Sequence, residues 1–319
     1  MHRRLRIVLL AAVLAATAVA IARSDPRAIG LALAGMSWRW ATIAAVINLL
    51  GVVIDAMRLR IIVSASGHVG LRHVLQAQLV GIMGNVLFPF KLGEGARAYM
   101  LTRHHEVPTA TAVTMVVLDR VIDALVLPMF VVIVSVLLPL PSTVLRYRTW
   151  MLMSLAAGSC AGVIVGRRLR DRHAAGRAPV AVAGTLDRII VGVTILGHRG
   201  RLALAIGASL VSWTARAAIL WCMLRAFGLD LPLSATVTML VIVNLGIALV
   251  ATPGNVGSFE LAAAAALALW GVPSGTALSV GLATHAIEVV PPVVIGIAVG
   301  GWWTASPPTT NHPPLTDAR

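Results

Sequence analysis

Apolar residues run along this chain in stretches of roughly 20, the length a helix needs to cross about 30 Å of hydrocarbon, and short basic segments separate them. The pattern predicts spanning helices near 5–22, 38–63, 109–139, 149–166, 201–227 and 275–303. Two further apolar stretches, 71–104 and 233–271, are interrupted by "FPFKLGEG" and "ATPGNVGSFE", so each reads as a helix, a break and a second helix. Proline removes a backbone donor and glycine loosens the chain, which leaves polar groups that only protein or water can satisfy. Breaks at Pro89, Gly93, Pro253, Gly254 and Gly257 therefore belong at a protected cavity. The expected fold is all-α: a polytopic membrane protein with about six spanning helices and two broken, re-entrant hairpins. It forms one transmembrane domain over 1–305, with a Pro-rich, disordered tail at 306–319.

The two broken stretches resemble each other. Aligning the sequence from Pro89 with that from Pro253 pairs Gly93 with Gly257 and Val107-Pro108 with Val272-Pro273. Beyond the second proline the register continues without a gap, so that Ala112 meets Ala277, Arg120 meets His285 and Asp123 meets Glu288, with Glu94 and Glu260 within two residues of equivalence. A duplication follows, with repeat one over about 38–139 and repeat two over about 201–303. The extra crossing expected at 149–166 inverts the second unit, the plan by which transporters alternate access.

Charge refines this picture. The net charge of +14 could suggest nucleic acid, but the arginines gather in segments between apolar runs, which is the positive-inside pattern. That places the N-terminus, the loop with Arg58, Arg60 and Arg72, and a basic linker at 167–200 on the cytoplasmic side of the membrane, the linker lying on anionic headgroups or in solvent. Residues 2–22 have the basic start and Ala-Ile-Ala ending of a signal peptide, but the many later spans favour a retained first helix. Cys160 and Cys222 fall in separate apolar helices and imply neither a disulfide nor a metal site.

Asp55, Glu94, Asp119, Asp123, Glu260 and Glu288 all lie within or beside apolar stretches, where an unpaired charge costs several kcal/mol. They must be paired or wet. Lys91, Glu94, Arg97, Asp119, Arg120 and Asp123 thus form an expected anionic-headgroup site near the first break, with Arg97 facing lipid near the cavity mouth. Asn255, Glu260, His285 and Glu288 form its counterpart in the second repeat. There His285 reads either as a protonatable partner or as a satisfied core histidine, and Glu260 equally as a helix-start acid. Asp55 with Arg58 reads as an interfacial ion pair. "RHHE" at 103–106 lacks a second ligand group at zinc-like spacing and is assigned to the headgroup surface.

The segments "GNVLFPFKLGEGAR", "LDRVID" and "TPGNVGSFE" resemble the transmembrane flippase region of bacterial lysylphosphatidylglycerol synthases and their stand-alone relatives, over roughly residues 40–300. The resemblance implies a role in moving or handling amphipathic lipids, without the soluble aminoacyl-transferase domain. Lys91, Asp119 and Asn255 depart from the arginine, glutamate and glycine that the resemblance implies at those places.

A flippase acting on an anionic membrane lipid is the leading expectation. No enzyme activity, cofactor or metal is expected, and the partners are membrane lipids, with biosynthetic enzymes or a second copy as further partners. The alternatives are a small-solute or ion-coupled transporter, which shares the architecture, or an accessory membrane protein of lipid or glycan biosynthesis. A membrane-embedded lipid enzyme ranks below these, because no nucleophile–base pair or nucleotide-binding loop is present.

Overall fold

The structure, a computed structural model, describes residues 26–64, 69–88, 91–103, 109–138, 142, 199–250 and 252–305. The described residues form nine α-helices: α1 (Pro26–Ala34), α2 (Trp38–Val63), α3 (Leu71–Leu87), α4 (Leu92–Arg103), α5 (Thr109–Leu137), α6 (Arg199–Ala226), α7 (Leu233–Leu249), α8 (Ser258–Ala268) and α9 (Ser274–Ala305). Four stretches are long and apolar enough to cross a membrane, namely Trp38–Val63, Thr111–Leu137, Gly200–Ala226 and Ser274–Val299. The chain is an all-helical, polytopic membrane protein. The expected spans at 5–22 and 149–166, most of the basic linker, the 306–319 tail, Cys160 and Pro89 lie outside the described residues. α1 is an element the apolar pattern did not predict, being too short to register as a span.

α2 and α6, the first helices of the two expected repeats, form the most extensive helix pair. They run antiparallel: the N–H of Ser37 donates to the carbonyl of Ala226 at 2.8 Å, while further along α2 Arg58 reaches back to Ser209 at 3.1 Å. Equivalent helices that pack antiparallel are what an inverted duplication requires. Each first helix also bonds to the last helix of the other half. Asn48 Nδ2 donates to the carbonyls of Ile287 and Glu288 at 2.9 and 3.0 Å, and Trp213 Nε1 donates to that of Asp123, the residue equivalent to Glu288, at 3.3 Å.

The hairpins α3–α4 and α7–α8 repeat one construction. α3 and α7 are each 17 residues long, and each ends with a backbone N–H returning to a glycine carbonyl, from Phe88 to Gly84 and from Val250 to Gly246. Those glycines occupy the same helix position, and both sit where the returning half-helix crosses. A Cβ on Gly84 would lie 2.8 Å from the Gly93 Cα, and one on Gly246 would lie 2.7 Å from the Ala262 Cβ. The half-helices begin at Leu92 and Ser258, next to the glycines expected to start them.

The halves differ where a hairpin meets the opposite long helix. Gly296 on α9 lets α3 approach closely, since a Cβ there would lie 2.8 Å from the Leu79 carbonyl oxygen and 3.1 Å from the Met83 Cβ. The equivalent positions are Val131 on α5 and Val241 on α7, which meet through side chains in a small buried cluster with Val237.

Candidate functional site

Arg58, near the C-terminal end of α2, is the centre of a buried ionic network, with 0% of its surface exposed. Its Nε donates to Asp119 Oδ1 at 2.8 Å, and its Nη1 donates to Asp123 Oδ1 at 2.6 Å and to Ser209 Oγ at 3.1 Å. Asp119 and Asp123 share a face because they are one turn apart on α5, so one planar guanidinium serves both. Asp119, also 0% exposed, receives two more arginines: Arg97 Nη2 from α4 at 2.8 Å and Arg120 Nη2 at 3.0 Å.

The network extends in both directions. Towards the first hairpin, Arg97 approaches Glu94 at 3.4 Å, Arg120 approaches it at 3.9 Å, and Asn85 Nδ2 donates to it at 3.1 Å. Towards the second repeat, Asp55 lies 3.6 Å from Arg58, accepts from Ser212 Oγ at 2.7 Å and pairs with Arg216 at 3.1 Å. Four guanidinia (Arg58, Arg97, Arg120, Arg216) therefore meet four carboxylates (Asp55, Glu94, Asp119, Asp123), which is the neutrality a low-dielectric interior demands. Both ends of the network are partly exposed, through Arg216 at 37% beside Asp55 and through Arg120 and Glu94 at the first hairpin. The Arg120 side chain is 40% exposed and that of Glu94 26%, beside the exposed Lys91.

The second hairpin has a smaller site. Glu260, in the first turn of α8, accepts from the backbone N–H of Gly257 at 2.7 Å and closes the capping box that starts the half-helix. Its other oxygen lies 2.7 Å from His285 Nδ1, and His285 Nε2 donates to the Gly254 carbonyl at 2.9 Å. The imidazole stacks on Phe259, with centroids 4.7 Å apart. Glu94 with Arg120, at 3.9 Å, and Glu260 with His285, at 2.7 Å, are analogous pairs in the two repeats, a half-helix acid near a basic residue on the following long helix.

Residues 5–296 match the transmembrane region of lysylphosphatidylglycerol synthases. The chain belongs to that family. A comparison with curated proteins finds no match. Family membership makes this a membrane protein of lipid biosynthesis or translocation.

Within this family member, the expected first-repeat residues come together, but in different roles. Arg97, expected near the cavity mouth, is buried at 1% exposure against Asp119, because α4 returns against Gly81 and Gly84 of α3 and carries Arg97 inward. The partly exposed guanidinium at this hairpin is that of Arg120 instead. Asp123 goes to Arg58 while Arg120 takes Asp119. Asp55 and Arg58, expected as an interfacial pair, are both buried, since their partners on α5 and α6 enclose them. In the second repeat Glu260 and His285 are in contact, and Glu288 has His285 and Arg216 as its electrostatic neighbours. Asn255 contributes backbone: it adopts a positive φ of 59° and its carbonyl accepts from Ser258. Pro253 and Gly254 form the 3-10 turn before it, and Gly93 admits no side chain because the Gly81 carbonyl and Asn85 backbone fill that space. Sequence reasoning passed over Arg216, although an arginine in the middle of an apolar run was itself the signal.

Proposed function

We propose that the protein translocates an anionic amphipathic lipid, a phospholipid or lipid-linked intermediate, across the bacterial cytoplasmic membrane. The observation that carries this reading is the partly exposed, cationic end of the buried network at the first hairpin. Arg120 and Lys91 stand at the first hairpin break, beside a stripe of exposed Val113, Val117, Val121 and Leu125 on α5. Such an arrangement suits a ligand with an anionic head and apolar tails, because guanidinium pairs strongly with phosphate where water is scarce. An open groove of about 410 Å³ between α3 and α9, with Leu75, Leu79, Ile295, Ala298 and Val299 along it and Arg72 and Gln76 at its polar part, has the same division of character.

Inverted broken hairpins supply a way to expose such a site alternately. The N-terminus is cytoplasmic in this reading, the protein is not an enzyme, and lipid-synthesising enzymes or a second copy are its partners. The test is translocation of a fluorescent anionic lipid by reconstituted protein. Arg120→Ala should reduce the rate at least about tenfold, as expected for a lost charge-assisted contact, whereas Arg225→Ala, whose partner is the exposed Asp230, should leave it unchanged. Normal transport by Arg120→Ala would move the site elsewhere, and transport of a water-soluble anion in place of lipid would favour a small-solute transporter.

A further inference from the structure

The contact between His285 and Glu260 has a consequence for proton occupancy that follows from hydrogen-bond chemistry alone. A carbonyl oxygen can only accept, so the 2.9 Å contact with Gly254 requires a hydrogen on His285 Nε2. The 2.7 Å contact between Nδ1 and Glu260 Oε1 then requires one more proton, carried either by the imidazole or by the carboxyl group. Without it the imidazole has a single N–H, so a lone pair faces an oxygen at one of the two contacts: Nδ1 against the carboxylate or, in the other tautomer, Nε2 against the Gly254 carbonyl. The other Glu260 oxygen is committed to the Gly257 N–H, and both side chains are buried, so neither water nor rotation relieves the conflict in place.

We infer that Glu260 and His285 form a single-proton binding site that fastens the second hairpin: when the proton is bound the α8 half-helix is held against α9, and when it is released the hairpin opens. The connection is direct, because the pair spans the break. Glu260 caps α8, His285 belongs to α9, and the Gly254 carbonyl lies in the 3-10 turn joining the half-helices. α8 also packs on α9 through the stacking of Phe259 on His285 and through small residues, with Gly281 against Ala263 and the Glu260 backbone. The ionisable groups facing the site among the described residues are Glu288, one turn along α9, and Arg216 on α6, which faces Glu288. Val86 of α3 lies against Gly254, and Gly246 of α7 lies against Ala262 of α8. The proton leaves to water on the side to which the hairpin opens. This site makes a proton the coupling ion of whatever the protein carries, and it stands independently of the lipid reading above.

The experiment measures opening, not transport. In full-length protein with Cys160 and Cys222 replaced by serine, a cysteine is placed at the buried Ala263 on α8, and a second variant carries it at the exposed Val256 to correct for thiol ionisation. The labelling rate of Ala263→Cys relative to Val256→Cys should rise about tenfold between roughly pH 6 and pH 9, as expected when a hydrogen bond to an ionised partner is lost. Glu260→Gln should abolish that rise and keep Ala263→Cys protected throughout, because an amide donates to Nδ1 and accepts from Gly257 without titrating. His285→Gln provides a second titration-free arm if Glu260→Gln does not fold. A flat ratio in the parent protein, or a rise that persists in either glutamine variant, overturns the inference. Loss of lipid transport with an intact pH-dependent opening would overturn the proposed function and leave the proton site standing.

Discussion

Lys91 and Asn255 hold equivalent places in the two repeats, and both adopt left-handed backbone, at φ of 55° and 59°; they are the non-glycine residues with positive φ among those described. Each lies two residues after the proline of its break and two before the glycine at the start of its half-helix. The chain reverses here by a route that favours glycine, so two residue types that tolerate the strain differently have been placed on one backbone.

Lys91→Gly and Asn255→Gly should therefore leave thermal stability unchanged or raise it by up to about 1 kcal/mol, whereas Lys91→Val and Asn255→Val should lower it by roughly 1–3 kcal/mol. Unfolding midpoints of the detergent-solubilised variants check this. Equal stability of the glycine and valine variants would count against the strained geometry.

Arg58 and Arg120 separate support from ligand binding. Arg58→Ala leaves Asp123 without its arginine, removes one of three from the buried Asp119 and should destabilise by about 3–5 kcal/mol, and Arg58→Lys should recover only part of this because an ammonium cannot serve both aspartates in one plane. Arg120→Ala, at the partly exposed first-hairpin end, should cost about 1 kcal/mol or less while impairing translocation. Melting and transport measured on the same preparations distinguish the two; matching losses in both variants would defeat the distinction.

Small residues at the hairpin crossings should be intolerant of a single added carbon. Gly84→Ala and Gly246→Ala each place a Cβ within 2.8 Å of the returning half-helix and should destabilise by roughly 1–3 kcal/mol. Gly51→Ala, where nothing lies within 4 Å, should instead be neutral or stabilise by about 0.5–1 kcal/mol through helix propensity. Expression-normalised melting curves for the three variants test this ordering.

Thr109 and Ser274 begin α5 and α9 at equivalent, exposed positions. In an inverted duplication, Thr109→Cys and Ser274→Cys label from opposite membrane faces with an impermeant thiol reagent. Labelling of both from one face would be incompatible with the inversion.

The architecture was legible because it is written in local patterns. The length of the apolar run fixed Trp38–Val63, and proline with glycine marked both breaks to within a residue or two of the observed half-helices. The repeat register placed His285 opposite Arg120 before either was seen to meet a half-helix acid. What the chain did not disclose is non-local. Arg58 has a plausible partner three residues away in Asp55, and nothing in its neighbourhood points to aspartates 61 and 65 residues later. Arg97 was misplaced for the same kind of reason: periodicity says which residues share a face, but not which face the glycine contact at Gly81 turns inward.

The buried Arg58 network also sets a problem in time. The chain is made from its N-terminus, and Arg58 emerges 61 residues before Asp119, an interval of roughly 3–12 s at ordinary synthesis rates. Throughout that interval α2 holds a charge that its final partners cannot yet neutralise. Asp55, one turn back on the same helix, is the acid that arrives with it. The newborn helix thus carries its own temporary counter-ion, and when α5 supplies Asp119 and Asp123, Asp55 is left to receive Arg216, the last of these partners to be synthesised.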